Sequence, residues 1–298
     1  MQPCGHTKLM NSIIGMCKKN LNWISVLSDP ELNYEVQIIE QSISTSSGEV
    51  VKPDIVAASN RQLHSLVFEL KGGKILKVDQ LERYASLTAS DLLRWVTVFD
   101  RSHLEFDVCI CDLAENHTLI KLVNNQKFPM LIFGSDFLSK EGMFKRAKLN
   151  DAFKQPMSLK GKSQPLSYYP FSDEDSTPYI ALHVVQALLS IVLKNAQRGI
   201  DFSEDELFAF DDVIAERFNY VWKVLSIEHK KALKLKISDA TKRFLAKDEV
   251  KEALGIIQQK EGYKIAKNLA QFKKMAEKYI EELQTQTPLN EFYNLSNF

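Results

Sequence analysis

"VVKPDIVAASNRQLHSLVFELKGGK", residues 50–74, reads as two apolar strands joined by a polar turn, with charges where a sheet core normally has none. Asp54 follows Pro53 at the entry of the first run, and Glu69 and Lys71 flank Leu70 in the second. Successive side chains on a strand point to opposite faces. Leu66, Phe68 and Leu70 therefore share one face, and Val67, Glu69 and Lys71 share the other. Gly72-Gly73 releases the strand just beyond the lysine. A hairpin register that sets Asp54 beside Glu69 brings two carboxylates to one point, which is costly unless positive charge sits between them. Few, hard oxygen ligands, with the remaining positions left to water and substrate phosphate, suit Mg²⁺, with Mn²⁺ as a substitute. Lys71 is then placed to orient an attacking water and to stabilise negative charge developing at phosphorus.

The elements around this stretch follow from periodicity. Leu9, Ile13, Ile14, Met16, Cys17, Leu21, Ile24 and Leu27 recur at helical spacing, so a helix is predicted over residues 7–27, ended by Asp29-Pro30. "NYEVQIIEQSIST" alternates as a strand, "SSGE" turns, and "VVKPDIVAAS" returns, with Pro53 marking an edge or entry position. "HSLVFELKG" is the third strand of the meander, and "VDQLERYASLTASDLLRW" is a helix. Strands are expected at "WVTVFD", "EFDVCICDL" and "TLIKLV", which gives an α/β domain over residues 1–140.

Pro53-Asp54 followed by Glu69-x-Lys71 resembles the signature of the PD-(D/E)XK, or restriction-endonuclease-like, phosphodiesterase superfamily. The order helix, three-stranded meander, helix, strand is similar to that family's core, a mixed sheet flanked by helices. Gln80 and Tyr84, one helical turn apart in "VDQLERY", look like the Gln-x-x-x-Tyr helix of several subgroups, including phage-type exonucleases and antiviral nucleases. The resemblance implies a metal-dependent nuclease. Asp54, Glu69 and the Leu70 carbonyl would bind Mg²⁺, Lys71 would act on the water, and Gln80 and Tyr84 would position the lysine or a phosphate. A further glutamate on or after the first helix is implied as well; Glu35 is the candidate, with Glu31 behind it.

Residues 141–178 hold four of the nine prolines beside Lys, Ser and Gly, and read as an irregular linker. Residues 179–298 read as an all-α region whose charge is segregated. Phe171 to Glu216 carries ten acids against two bases, whereas His229 to Ile280 carries fourteen Lys and Arg against six acids. Such a block is a solvated helical face or a surface that tracks phosphates. On the second reading Lys230, Lys231, Lys234 and Lys236, with Lys74 and Lys77 near the site, contact nucleic acid. The apolar stripes of this region equally suit self-association or a partner protein.

Composition and the remaining motifs exclude other classes. With 45% hydrophobic and 26% charged residues and a net charge of zero, the chain is an ordinary globular one. The run Tyr179–Leu193 is shorter than a membrane span and contains His183 and Gln186. Cys4, Cys17, Cys109 and Cys111 form no C-x-x-C pair, so reduced thiols in a soluble, cytoplasmic protein are expected, with no membrane partner. "LKGKSQP" at residues 159–165 has Pro156 where a phosphate loop needs its first glycine, and no H-x-x-x-H pair suggests zinc. The leading expectation is a Mg²⁺-dependent deoxyribonuclease, with a layout similar to prokaryotic defence effectors and mobile-element nucleases. The alternative is a non-catalytic nucleic-acid-binding or scaffold subunit on the same fold.

Overall fold

The computed structural model describes residues 3–19, 23–72, 77–113, 120, 123, 127–162, 167–200, 203 and 206–285. Two compact units emerge: Gly5–Tyr168 with Lys223–His229, and Met1–Cys4 with Tyr169–Trp222 and Lys230–Phe298.

The first unit is α/β. Helix α1 (Gly5–Met16) precedes strands β1 (Glu35–Ile39), β2 (Ile43–Ser44), β3 (Val50–Val51), β4 (Ile55–Ser59) and β5 (His64–Leu70). Helices α2 (Val78–Ala85) and α3 (Ala89–Leu92) follow, then β6 (Glu105–Leu113), β7 (Met130–Phe133), β8 (Phe137–Glu141), α4 (Ala147–Ala152) and β9 (Met157–Ser158). One mixed sheet runs in the order β1-β4-β5-β6-β7-β8-β9. β1, β4 and β5 form an antiparallel meander, and β6 joins β5 in parallel after α2 and α3. Every residue of β5 is buried, because α1 packs on one face of the sheet while α2 and α3 cover the other. On that second face Val67, Val56 and Ala58 join Leu81, Tyr84, Leu87 and Leu92 in one core.

The strands break where the charges lie. Pro53 has no amide hydrogen to give a ladder, so β3 and β4 are separate across Lys52-Pro53-Asp54. The facing strand breaks as well: Glu40 turns into the left-handed region at φ +56° between β1 and β2, and its N–H donates to the Asp54 carbonyl at 3.0 Å. The segment 223–229 runs along this break, with Ile39 N donating to Val224 O at 2.8 Å and Ser226 N to Ile39 O at 3.1 Å.

Several expectations are corrected. The first helix stops at Met16, and Val26–Ser28 is a short 3-10 turn; residues 20–22 lie outside the described residues. "WVTVFD" is not a strand, because Leu93-Arg94-Trp95 continues the turn after α3. The "TLIKLV" strand lies mostly outside the described residues, and Ile120 and Val123 within it are helical. Residues 141–168, read as a linker, complete the sheet instead: β9 pairs with β8, and Phe144 and Phe153 are buried around α4. Proline and glycine there shape tight connections between short elements.

The second unit contains α5 (Thr177–Gln197), β10 (Phe208–Ala209), α6 (Phe210–Arg217), the body of α7 (Ile227–Leu245), α8 (Asp248–Leu254), β11 (Ile256–Gln258), β12 (Gly262–Ile265) and α9 (Leu269–Thr285). It is mainly helical but not all-α, since β10, β12 and β11 form an antiparallel sheet. Gly255 ends α8 and the polar "QKEG" turns the β11–β12 hairpin, a pattern that two such short strands leave faint. Helix α5 has the length and composition to cross a membrane, yet 61% of its apolar window is buried inside the protein, which makes it a core helix.

Candidate active site

The break in the meander gathers the charged residues. Continuing the Ile55–Phe68 pairing places Asp54 opposite Glu69, and Asp54 N donates to Phe68 O at 3.1 Å. The Asp54 carboxylate turns back on β5, where Oδ2 accepts the Leu70 N–H at 2.6 Å. Leu70 thus meets Asp54 through its amide. Asp54 is 8% exposed, and its carboxyl is pushed well above the usual carboxylate range by burial first and then by the Glu69 and Glu40 charges.

Glu69 is held on all sides. Its Oε1 accepts from Lys71 Nζ at 2.6 Å and from Gln80 Nε2 at 2.8 Å, and its Oε2 accepts the Tyr84 hydroxyl. Lys71 Nζ also donates to Gln80 Oε1 at 2.8 Å, so the ammonium is clamped between two oxygens. Gln80 and Tyr84 come from one face of α2 because they are four residues apart, the spacing that stacks side chains along a helix. Burial, followed by the Glu69 and Asp54 charges, raises the Tyr84 hydroxyl far above its ordinary value and keeps it a donor.

Two further residues complete the arrangement, and both were missed in the sequence. His6 Nε2, from the first turn of α1, lies 3.7 Å from Asp54 Oδ1 and 3.5 Å from Glu40 Oε1. His6, Glu40 and Asp54 each offer one ligand atom, and the three atoms lie within 4.8 Å of one another. Lys52 Nζ, 2.6 Å away, and His229 Nδ1, 4.0 Å away, also face Glu40 Oε2. Burial works against ionisation of Glu40, but the hydrogen bond with His6 and the His229 and Lys52 charges outweigh it and hold its pKa at about 2. Two neighbouring buried carboxyls are therefore driven in opposite directions, because the cationic partners gather on Glu40 while Asp54 faces Glu69.

A close backbone approach brings His6 there. A Cβ on Gly5 would lie 2.5 Å from the Gly72 carbonyl oxygen, and one on Gly72 would lie 2.5 Å from His6 N. Gly72 also sits at φ +50°, which favours glycine. The start of α1 thus rests directly on the end of β5. A glycine before the first helix and one after the Glu-x-Lys strand were the available signal, visible only when paired.

Glu35, the expected third acid, lies away from this cluster. Glu35 pairs with Ala58 at the far end of β1 and is exposed; Ile39, at the near end, faces Ile55. Four strand steps lead from Glu35 to Ile39, Glu40's neighbour, roughly 13 Å at about 3.3 Å per step. Glu31 is engaged elsewhere, with Arg61 at 3.0 Å and with Lys148. Lys77 is exposed at the N-terminal boundary of α2, and Lys74 lies outside the described residues. On α7, Lys234 pairs with Asp211 at 2.6 Å and Lys230 stands 4.3 Å over the Trp222 ring, while Lys231 is exposed and Lys236 half-buried.

The MJECL32 domain profile matches residues 5–169, more than half of the chain. The chain belongs to the MJECL32 domain family. The matched span coincides closely with the first unit's Gly5–Tyr168 segment and holds Asp54, Glu69, Lys71, Gln80 and Tyr84 together with His6 and Glu40. No curated protein and no solved structure matches the chain.

Proposed function

We propose that this MJECL32 domain is a restriction-endonuclease-like, metal-dependent nuclease that hydrolyses phosphodiester bonds in DNA. The observation that carries the reading is the convergence of Asp54, Glu69, Lys71, Gln80 and Tyr84 with an adjoining His6–Glu40–Asp54 triangle of ligand atoms. The sheet is consistent with it: an antiparallel meander followed, after a helix, by a parallel strand is the core expected for that superfamily.

The donor set fits a divalent cation. Asp54 and Glu40 supply hard carboxylate oxygens and His6 an imidazole nitrogen, a mixture that suits Mn²⁺ better than the all-oxygen shell of Mg²⁺. When bound, such an ion supplies charge stabilisation at phosphorus and makes water a stronger acid. The protein's own groups do the rest. Lys71 presents an ammonium proton from a position held by Glu69 and Gln80, ready to orient the attacking water or meet the charge that develops on a phosphate oxygen. Tyr84 fixes Glu69, and Glu69 in turn fixes Lys71, so α2 sets the lysine's aim. Glu69 is a positioning residue in this arrangement, with its oxygens turned toward Lys71, Gln80 and Tyr84.

The test is incubation of purified protein with supercoiled plasmid, linear duplex and single strands, each with Mg²⁺, Mn²⁺ or chelator. Cleavage is expected with cation, strongest with Mn²⁺, and lost in Asp54→Asn. A wild-type protein that binds these strands but cuts none under any cation would be a nucleic-acid-binding subunit on the same core instead.

A further inference from the structure

A cleft of about 270 Å³ opens beside the clamp, lined by Val50, Val51, Lys52, Gln80, Arg83 and Tyr84. Tyr84 is buried and Gln80 half-buried, so they form its inner wall; Arg83 is exposed and the Lys52 side chain is 47% exposed, so they form its rim. No carboxylate is among the lining residues, although Glu69 and Glu40 lie just behind them. Arg83 has no ion pair among the described residues. Lys52 reaches from the rim to Glu40 at 2.6 Å, joining the cleft to the ligand triangle.

We propose that this cleft seats a backbone phosphate of the nucleic-acid strand, adjacent to the bond that is cut, with Arg83 and Lys52 as its donors; the assignment rests on the nuclease reading. Three features point to a phosphodiester rather than another ligand. Arg83 brings to the rim a cation with no ion pair among the described residues, beside a Lys52 ammonium that one carboxylate, Glu40, leaves with further protons to donate, and the guanidinium offers paired N–H groups that match two phosphate oxygens. Val50, 49% exposed at the cleft, supplies an apolar edge against which a sugar can rest. Gln80 lines the cleft and also holds Lys71, so a strand seated here runs past the ammonium that would serve the reaction. The contacts read charge and backbone spacing and carry no base information, so binding through the cleft is independent of sequence.

The experiment measures binding of a labelled DNA oligonucleotide by fluorescence anisotropy in chelator, where no cleavage occurs, across a salt series. Wild type is compared with Arg83→Met, Arg83→Glu and Lys52→Met, and steady-state cleavage with Mn²⁺ is measured in parallel. Arg83 carries the decision, since its side chain is exposed and its replacement spares the fold, as melting curves will check. Arg83→Met is expected to raise Kd about fivefold and flatten the log–log salt slope by about one unit, as loss of one phosphate contact does. Arg83→Glu should weaken binding further, and both should raise KM while kcat stays within about twofold. Unchanged Kd, slope and KM in both Arg83 variants, with wild-type cleavage present, would overturn the cleft and leave the nuclease intact. A wild type that cuts nothing, while the Arg83 variants still lose affinity and slope, would overturn the nuclease and keep the cleft as a backbone-binding site.

Discussion

Lys71 Nζ lies 2.6 Å from Glu69 Oε1, and both side chains are 7% exposed. A buried pair of this kind is held by what surrounds it, because each charge has lost water and depends on the other. Here Gln80 bonds both members and Tyr84 bonds the second oxygen of Glu69. Removing Tyr84's hydroxyl leaves a buried carboxylate oxygen one donor short. Tyr84→Phe is therefore expected to lower stability by about 1–3 kcal/mol. In the cleavage assay it should reduce kcat more than it raises KM, since Lys71 loses its aim rather than the strand losing a contact. Denaturant melts and steady-state kinetics check the two effects. Equal stability and unchanged kcat would mean that the clamp has no part in catalysis.

Removal of the Asp54 charge is expected to act in the opposite direction on the fold. Its carboxyl is crowded by Glu69 and Glu40 and resists ionisation, so Asp54→Asn should leave melting in chelator unchanged or slightly raised. The same variant should lose the rise in Tm that Mn²⁺ gives the wild type, because ligand binding to the native state alone is what raises Tm. Glu40→Gln should behave likewise toward the cation, whereas Glu35→Gln, far along β1, should retain the full rise. Isothermal titration with Mn²⁺ distinguishes them; a Glu35 effect equal to that of Glu40 would reverse the assignment of the third acid.

The Gly5–Gly72 contact gives a test of why His6 is present. Gly5→Ala forces a methyl against the Gly72 carbonyl at a nominal 2.5 Å, so α1 must shift. Overpacking of this sort costs about 1–3 kcal/mol. The expected signature is a weakened Mn²⁺ affinity together with the lower Tm, since His6 moves with the helix. Should Mn²⁺ affinity stay at the wild-type value while Tm falls, His6 would not be a ligand.

These three experiments separate what the sequence shows from what it hides. Glu69, Lys71 and Val67 could be placed on one face because a strand's period is two, and Gln80 and Tyr84 on one face because a helix stacks residues four apart. Asp54 followed from the hairpin. Glu40 and His6 did not, because their position depends on backbone events without a period: a left-handed residue at the break between two strands and a contact between two distant glycines. The same holds for β8, α4 and β9, whose short segments give too few residues for a pattern; α4 and β9 fall in the stretch expected to be a linker.

Acid sensitivity follows from a buried network at the other end of the sheet. The Tyr34 hydroxyl donates to His64 Nδ1 at 2.9 Å and His64 Nε2 donates to Asp107 Oδ2 at 3.1 Å, with His64 fully buried. Burial lowers the His64 pKa, and the Asp107 bond only partly offsets it. The folded state thus keeps a neutral ring that the unfolded chain protonates near pH 6.5. Stability from this group is full above about pH 6.5 and is lost as pH falls through the folded value. His183, depressed further by burial and by Arg217, acts in the same direction. Tm should fall between pH 7 and pH 5.5, and His64→Gln should flatten part of that slope while lowering Tm at pH 7. A pH-independent Tm over that range would refute the assignment.

Four lysines in the first half of α7 divide into two pairs, and the division predicts different losses. Lys230 and Lys234 already have partners, the Trp222 ring and Asp211, whereas Lys231 and Lys236 have none among the described residues. Leu233, Ile237, Ala240 and Phe244 are buried, so the basic residues lie on the outer surfaces of the helix. Replacing Lys230 and Lys234 with Met should cost about 0.5–1 kcal/mol each in melting experiments, the range of exposed cation–π and surface ion pairs. Replacing Lys231 and Lys236 with Gln should leave the unfolding free energy within about 0.5 kcal/mol of the wild type. If this face tracks phosphates, that second pair alone should flatten the salt slope of DNA binding by up to about two units, uniformly across sequences. If the slope is unchanged while sedimentation shows an altered oligomeric state, the face serves assembly, and nucleic-acid contact is confined to the first unit with Arg83 and Lys52.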